Sequence, residues 1–523
     1  VTSKKVEWLS WRGYTERQRI SLAGWTEGFS MPARFLERVP YCIESYNLLR
    51  NMDQEKRLKI QKQMLDATDH SVMGSIYMGV MRASEMDWLR AELTKCLRTA
   101  MRLIQITATE DINGAQLQRV FKELPPDRAE YFKSALESSL YFYSNGKVPK
   151  PFQNILEQPF YMELGIDILT SGLQFMLAEF QVRYATPYPH LLKSFSDTYE
   201  EILPELFQKF KIKSETFPQR RLNVLNSCLQ QFAEQGADEP VRLILDAWAY
   251  LDNAGANWKS LVPQLEADYV LFDDFLKTQN IHEKNYRNKR LSIFNQPPLN
   301  LIDPDNKLFE RVNAEKLETY DELCWTDLLE RYLNNQVFIA NSPLSDIVND
   351  KALYTVLPEL CRMFFAETIV LPIVESLPCW DLNNYQKPNQ DVLKLAREQK
   401  DNFVIAHRYL EGGMGIRVGH VTTLDEWDNF IDTFVIDRPY LYVLRSRFEM
   451  DPDMSVRVLS SSSMPHHASM VEENSQIELM DTLYARLTTK PPLSADNHRA
   501  FLIYKASESA PEPSYEFEET SVR

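Results

Sequence analysis

Glycine is scarce in this chain. There are 15 in 523 residues, and four of them fall within Gly412-Gly413-Met414-Gly415-Ile416-Arg417-Val418-Gly419. Glycine provides positive φ, tight turns and close backbone approach, and about 7% is usual. A long chain that does without it predicts long helices joined by few sharp turns. The place where glycine concentrates is where the chain has to turn hardest. The fold expected on this ground is mainly α, a large helical body with a small α+β unit in the C-terminal fifth.

The periodicity supports that expectation. Between Ser84 and Thr107, Met86, Leu89, Leu93, Leu97, Ala100 and Ile104 recur at three- and four-residue steps, with Ser84 and Asp87 as an S-x-x-D cap. Leu192, Phe195, Tyr199, Ile202, Leu206 and Phe210 are in helical phase, with Pro204 kinking that helix or starting a new one. A third helix is expected to open at Asp238, with Pro240 in its first turn and Val241, Ile244, Leu245, Trp248 and Leu251 on one face. Beyond Pro378, short apolar runs at 402–406, 416–422, 439–447, 455–459 and 499–506 read as strands, with one helix capped by Thr423 and Glu426 among them. Five segments follow: an aromatic N-terminal arm over 1–30 with Trp8, Trp11 and Trp25, a helical domain over 31–293, a helical continuation over 300–377, the α+β unit over 400–506 and an acidic tail over 507–523. Pro297-Pro298 marks the break between the second and third. The chain begins at Val1 rather than methionine, as it would if an N-terminal piece preceded it.

The glycine cluster does not fit a dinucleotide-binding turn. Gly413-x-Gly415-x-x-x-Gly419 is one residue too long, and strand-like alternation follows it where a helix should begin. It reads as a hairpin, with a strand over 402–410, a turn over 411–415 and a return strand to Thr422. Centred between Gly413 and Met414, the hairpin would set His407 opposite His420, though two imidazoles without a third ligand make a poor metal site. None of the eight histidines has a glutamate three positions before it, which excludes Glu-x-x-His di-iron ligation. Asp273-Asp274-Phe275-Leu276-Lys277 resembles the start of the aspartate-rich motif of isoprenoid synthases, but Lys277 replaces the last acidic ligand. The six cysteines are scattered with no C-x-x-C pair and read as buried thiols. No catalytic, cofactor-binding or metal residue is nominated, and no cofactor is expected.

A formal net charge of −16 argues against a general nucleic-acid binder. The one basic cluster with an interleaved aromatic is Lys284, Tyr286, Arg287, Lys289 and Arg290, a composition suited to single-stranded nucleic acid. No apolar run reaches the ~20 residues of a membrane span, so no membrane partner is expected. A large chain without catalytic motifs and rich in aromatics is expected to work by contact. In length, helical texture and absent motifs the whole chain resembles the capsid proteins of small double-stranded RNA viruses, the partitivirus type. That resemblance implies a structural, non-enzymatic, self-assembling shell subunit in the virion and host cytoplasm. It also implies a dimer as building block and RNA enclosed without tight binding. The alternative is a cytoplasmic helical adaptor or regulatory scaffold. A third reading is an enzyme whose catalytic residues are dispersed along the chain.

Overall fold

The computed structural model describes residues 53, 55, 74–143, 159–171, 174–182, 188–246, 262–271, 275, 280–281, 284–286, 288–294, 331–332, 334–409, 415–447, 454–464, 476–488 and 498–511. The N-terminal tryptophans, the Pro297-Pro298 break, Arg287 and residues 410–414 of the glycine cluster lie outside them.

In chain order the strands are β1 (Gly74–Met81), β2 (Phe160–Ser171), β3 (Gln174–Gln181), β4 (Val241–Asp246), β5 (Asp268–Leu271), β6 (Asn280–Ile281), β7 (Lys284–Asn285), β8 (Leu291–Phe294), β9 (Val337–Ala340), β10 (Ser376–Pro378), β11 (Trp380–Asp381), β12 (Asn384–Pro388), β13 (Phe403–His407), β14 (Ile416–Val418), β15 (Tyr442–Ser446), β16 (Met454–Met464), β17 (Gln476–Leu479), β18 (Thr482–Thr488) and β19 (His498–Lys505). Seven of them form the main sheet, in the order β1-β19-β18-β16-β2-β3 with β17 alongside β16. A second sheet, β5-β4-β8-β9, is parallel throughout. A third, β10-β15-β13-β14, is antiparallel.

The chain is therefore mixed α/β, and the expectation of a mainly helical body is corrected. The physical reason is visible in β4. Leu243 and Leu245 pack into the largest apolar cluster while Ile244 between them packs into another. A strand buried on both faces reads as a continuous apolar run, which periodicity does not separate from a buried helix. The helix expected from Asp238 is this strand. The same holds for β2, buried at every position from Phe160 to Ile168. Sheet is not confined to the C-terminal fifth either, because β1 pairs in parallel with β19 and β2 pairs along the whole length of β16.

Helices pack on these sheets. The first, α1 (Ala83–Thr109), buries Leu89, Leu93 and Leu97 against the main sheet, and Leu103 and Ile106 against a second cluster. It starts at Ala83 without a side-chain cap, and Asp87 instead accepts from Lys505 Nζ at 2.6 Å. Then come α2 (Ala115–Glu123) and α3 (Pro126–Tyr143). Pro204 does divide the next stretch, into α4 (Tyr188–Ile202) and α5 (Pro204–Phe210). Among the described residues the remaining α-helices are α6 (Phe217–Glu234), the four-residue α7 (Val262–Leu265), α8 (Leu357–Phe365), α9 (Gln390–Glu398) and α10 (Leu424–Phe430). Thr423 and Glu426 form the expected reciprocal capping box at the start of α10. Four cysteines, Cys96, Cys228, Cys361 and Cys379, are free and buried.

The expected hairpin is β13–β14. Its register pairs Val404 with Val418 and Ala406 with Ile416, and His407 N donates to Gly415 O at 3.0 Å. Gly415 has φ 68°, the left-handed conformation that glycine adopts without strain. This register opposes His407 to Gly415. His420 instead sits exposed in a one-turn 3-10 segment, Gly419–Val421, and the two imidazoles do not face each other.

Candidate functional site

The main sheet carries its unusual chemistry where β16, β2 and β3 lie side by side. Successive side chains on a strand alternate between faces, so Glu163 and Asp167 of β2 share one face with Arg457 and Ser461 of β16, which stand opposite them in the ladder. A register shift follows Asp167: it pairs with Glu179, while Ile168 pairs with Leu177, leaving Ala178 as the extra residue of a bulge. Beyond that bulge Glu179 and Gln181 face the same way as Asp167.

These residues are joined to one another. Arg457 clamps Asp167 through both carboxylate oxygens, at 2.6 and 2.9 Å, and its Nη2 also donates to Gln181 Oε1. Gln181 Nε2 donates both to Asp167 Oδ2 at 2.8 Å and to Glu179 Oε1. Asp167, Gln181 and Arg457 are buried, and Glu179 is the most exposed member of the set. Two carboxylates that share one amide nitrogen form a compact set of hard oxygen donors.

The other side of the site comes from the segment after β9 and from the third sheet. Lys351, fully buried, reaches Glu179 Oε2 with Nζ at 3.1 Å. Its backbone N–H donates to Arg408 O at 3.3 Å. Arg408 follows β13 at the base of the glycine-cluster hairpin and is itself buried, with five hydrogen bonds to four residues. It donates to both oxygens of Asp350, to Ser138 Oγ at 2.7 Å, and to the carbonyls of Tyr440 and Ala135 at 2.8 Å each. Burial alone would depress this guanidinium, but Asp350 more than reverses that and holds it well above the usual arginine value. Arg445 of β15 donates from Nη2 to the bulge carbonyl of Ala178 at 2.7 Å. Burial pulls its guanidinium below the ordinary value, against the opposing charge of Glu179. Tyr354 receives the Phe180 N–H on its hydroxyl at 3.0 Å and fixes β3 against this segment.

A charged layer thus runs Arg457–Asp167–Gln181–Glu179–Lys351, with Arg445 and the Arg408–Asp350 pair beside it. Chemically it combines carboxylate oxygens able to hold a hard divalent cation with buried cations able to hold an oxyanion. Among the described residues no cluster of three or more His, Cys, Asp or Glu stands at metal-binding geometry. A cation at Asp167 and Glu179 would therefore have to draw its remaining oxygens from a ligand.

The basic cluster singled out from the sequence is elsewhere, at the margin of the second sheet. Lys284 lies in the two-residue strand β7. The hydroxyl of buried Tyr286 donates to Asp268 Oδ2 at 3.3 Å, and burial pushes it up to about 12. Lys289 is exposed, and its carbonyl accepts from Arg331. Arg290 donates to the carbonyls of Phe232 and Ala233 at the end of α6, with its guanidinium 3.8 Å from the Phe232 ring centre. None of the charged layer was nominated from the sequence. The available signal was the placement of Glu163, Asp167, Glu179, Gln181, Arg445 and Arg457 inside otherwise apolar runs.

Residues 309–487, about a third of the chain, match the family model of the circularly permuted ATP-grasp type 2 proteins. The matched stretch contains Asp350, Lys351, Arg408, Arg445 and Arg457; Asp167, Glu179 and Gln181 lie before it. No curated protein sequence matches the chain. A solved structure, that of a glutathione synthetase like-effector from Globodera pallida in apoform, is similar over 87% of this chain and 98% of its own, at 11% identity and a TM-score of 0.49. The family match overturns the capsid resemblance, and with it the reading of the chain as a structural, non-enzymatic virion subunit. The adaptor reading gains nothing from it. What the match supports is the third reading, an enzyme with residues dispersed along the chain.

Proposed function

We propose that this chain is an ATP-dependent enzyme of the ligase type, and that the charged layer is where the triphosphate is held. The observation that carries the reading is the match to the ATP-grasp type 2 model, whose span supplies four of the site's cations, Lys351, Arg408, Arg445 and Arg457. The geometry supports it. Phosphoryl chemistry depends on positioning and on neutralising the negative charge of the phosphates. Lys351 is a compact ammonium and Arg457 a rigid fork, and both are held by partners that fix their direction. Asp167 and Glu179 are the residues that would hold a divalent cation, which would screen charge between the phosphates. Such a cation is typically bound by one or two carboxylates plus phosphate oxygens. A ligase couples ATP cleavage to joining two substrates, so an acceptor site adjoining this layer is part of the reading.

Calorimetric titration of the full chain with ATP, with and without magnesium, tests it. Magnesium-dependent binding is expected, weakened about tenfold or more by Asp167→Asn and by Lys351→Met, in variants whose circular dichroism matches the parent. Absence of ATP binding at millimolar concentration in the unmodified protein would refute the reading.

A further inference from the structure

In a chain with little glycine, one stands inside a long buried strand. Gly165 lies in the twelve-residue β2, in register with Leu459 of β16 on one side and Gln181 of β3 on the other. A glycine inside a strand weakens it, and often marks a place where another group approaches closely. Its φ is not positive, so the backbone here would accept any residue. What requires the glycine is space.

Arg457 fills that space. A Cβ at Gly165 would lie 3.0 Å from Arg457 Cδ, 3.2 Å from Nε and 3.5 Å from Cγ. Arg457 stands opposite Asp167, two residues along β2, yet its fork also reaches Gln181, which stands opposite Gly165 on the far strand. The arginine therefore crosses β2 over the glycine and ties three strands together. Its backbone is fixed in the β16–β2 ladder and its tip is fixed on Asp167 and Gln181. It cannot yield to an added methyl group without loosening one of those hydrogen bonds. Gln181 carries the effect further, because its Nε2 donates to both Asp167 and Glu179.

We propose that Gly165 is a positioning residue of the site. It clears the path by which Arg457 reaches Gln181, and through that amide it sets the direction of the Asp167 and Glu179 carboxylates. This rests on the reading above for the role of those carboxylates toward a magnesium-bound triphosphate. It adds that their placement depends on a residue with no functional group of its own.

The test uses the full chain, unmodified and as Gly165→Ala, Arg457→Met, Arg457→Lys and the doubles G165A/R457M and G165A/R457K. Each is unfolded in urea, and each is titrated calorimetrically with ATP, with and without magnesium, where circular dichroism shows it folded. G165A should lower the urea midpoint and cut the gain in ATP affinity on adding magnesium about tenfold, with magnesium-free affinity within about twofold of the parent. A general loosening of the fold would instead weaken both titrations alike. R457M removes the anchored fork, so residues 165 and 457 should be coupled. G165A/R457M should unfold no earlier than R457M and bind magnesium-ATP within about twofold of it. Should R457M fail to fold, R457K takes its place, because a flexible ammonium stem can move aside. G165A should then cost less than half the midpoint shift it causes in the parent. Three results overturn the proposal: G165A matching the parent in both measurements, equal loss of ATP binding with and without magnesium, or an equal midpoint shift with and without Arg457. If the parent binds no ATP, the ligase reading falls, and the unfolding comparison alone decides whether Arg457 needs Gly165.

Discussion

Replacing Arg408 with methionine should be among the most damaging single changes in the molecule. The guanidinium is fully buried, and all five of its donor contacts are to Asp350, Ser138, Tyr440 and Ala135. It also lies 4.5 Å from the Trp380 ring centre. Methionine fills much of the volume but leaves Asp350 buried and uncompensated, and removing one partner of a buried pair costs about 3–5 kcal/mol. The double variant R408M/D350L removes both charges and should recover a large part of that loss. Full recovery is not expected, because Asp350 Oδ1 also accepts the Ala352 N–H at 2.9 Å, and the two carbonyls lose their donor. Urea unfolding followed by tryptophan fluorescence and circular dichroism measures the cycle, with D350L as the second single variant. The coupling energy between the two positions should exceed about 1 kcal/mol, beyond the ~0.5 kcal/mol scatter of independent sites. A loss below that figure for R408M, or a double variant as unstable as the sum of the singles, would show that the pair contributes little.

Three further outcomes follow from local geometry. At Gly419 an added Cβ would lie 1.8 Å from Lys400 O and 3.0 Å from Phe403 O, both backbone atoms, so Gly419→Ala should cost about 1–3 kcal/mol and lower the melting temperature; an unchanged melting curve would contradict the clash. Thr423→Ala removes one half of the capping box of α10 and should cost about 1 kcal/mol, with Thr423→Ser close to the parent in chemical denaturation. Burial acts to raise the Glu92 carboxyl, but Lys95 and the backbone N–H groups of Val370 and Leu371 outweigh it and hold it below its ordinary value of 4.5. A depressed folded value makes this contribution fully present above pH 4.5 and lost as pH falls through the folded value. Stability measured against pH should therefore drop on the acid side in the parent more steeply than in Glu92→Gln; parallel curves would exclude the linkage.

The glycine scarcity that organises the sequence has a different meaning in the structure. It reports few tight turns, and long helices are only one way to need few. Strands of 12 and 11 residues, β2 and β16, lie side by side in the main sheet and pair from Ser455↔Leu169 to Met464↔Phe160. They economise on turns as well as helices do. Where turn residues flank a short strand, as glycines follow β13 and Pro439 precedes β15, its place is legible in the sequence. The hairpin, the Pro204 division and the Thr423 cap are legible for the same reason, since each is decided within a few residues. β2 and β4 were not legible, because burial on both faces erases the alternation that marks a strand.

The site was hidden by a related effect. Its residues lie between Asp167 and Arg457, and no two of the linked side chains form a spacing that a known motif would flag. Only the ladder brings Arg457 opposite Asp167, and only the bulge at Ala178 turns Glu179 and Gln181 to the same face. What the sequence does contain is a cost: Glu163, Asp167, Glu179, Arg445 and Arg457 interrupt apolar runs where an uncharged residue would pack without desolvation. Once those runs are recognised as buried strands, each such interruption demands a partner: Asp167 finds Arg457 across the ladder, Glu163 finds Arg221 of α6, and Glu179 finds Lys351. Counting charges inside apolar runs, rather than searching for motifs, is the reading of this chain that would have led to the layer.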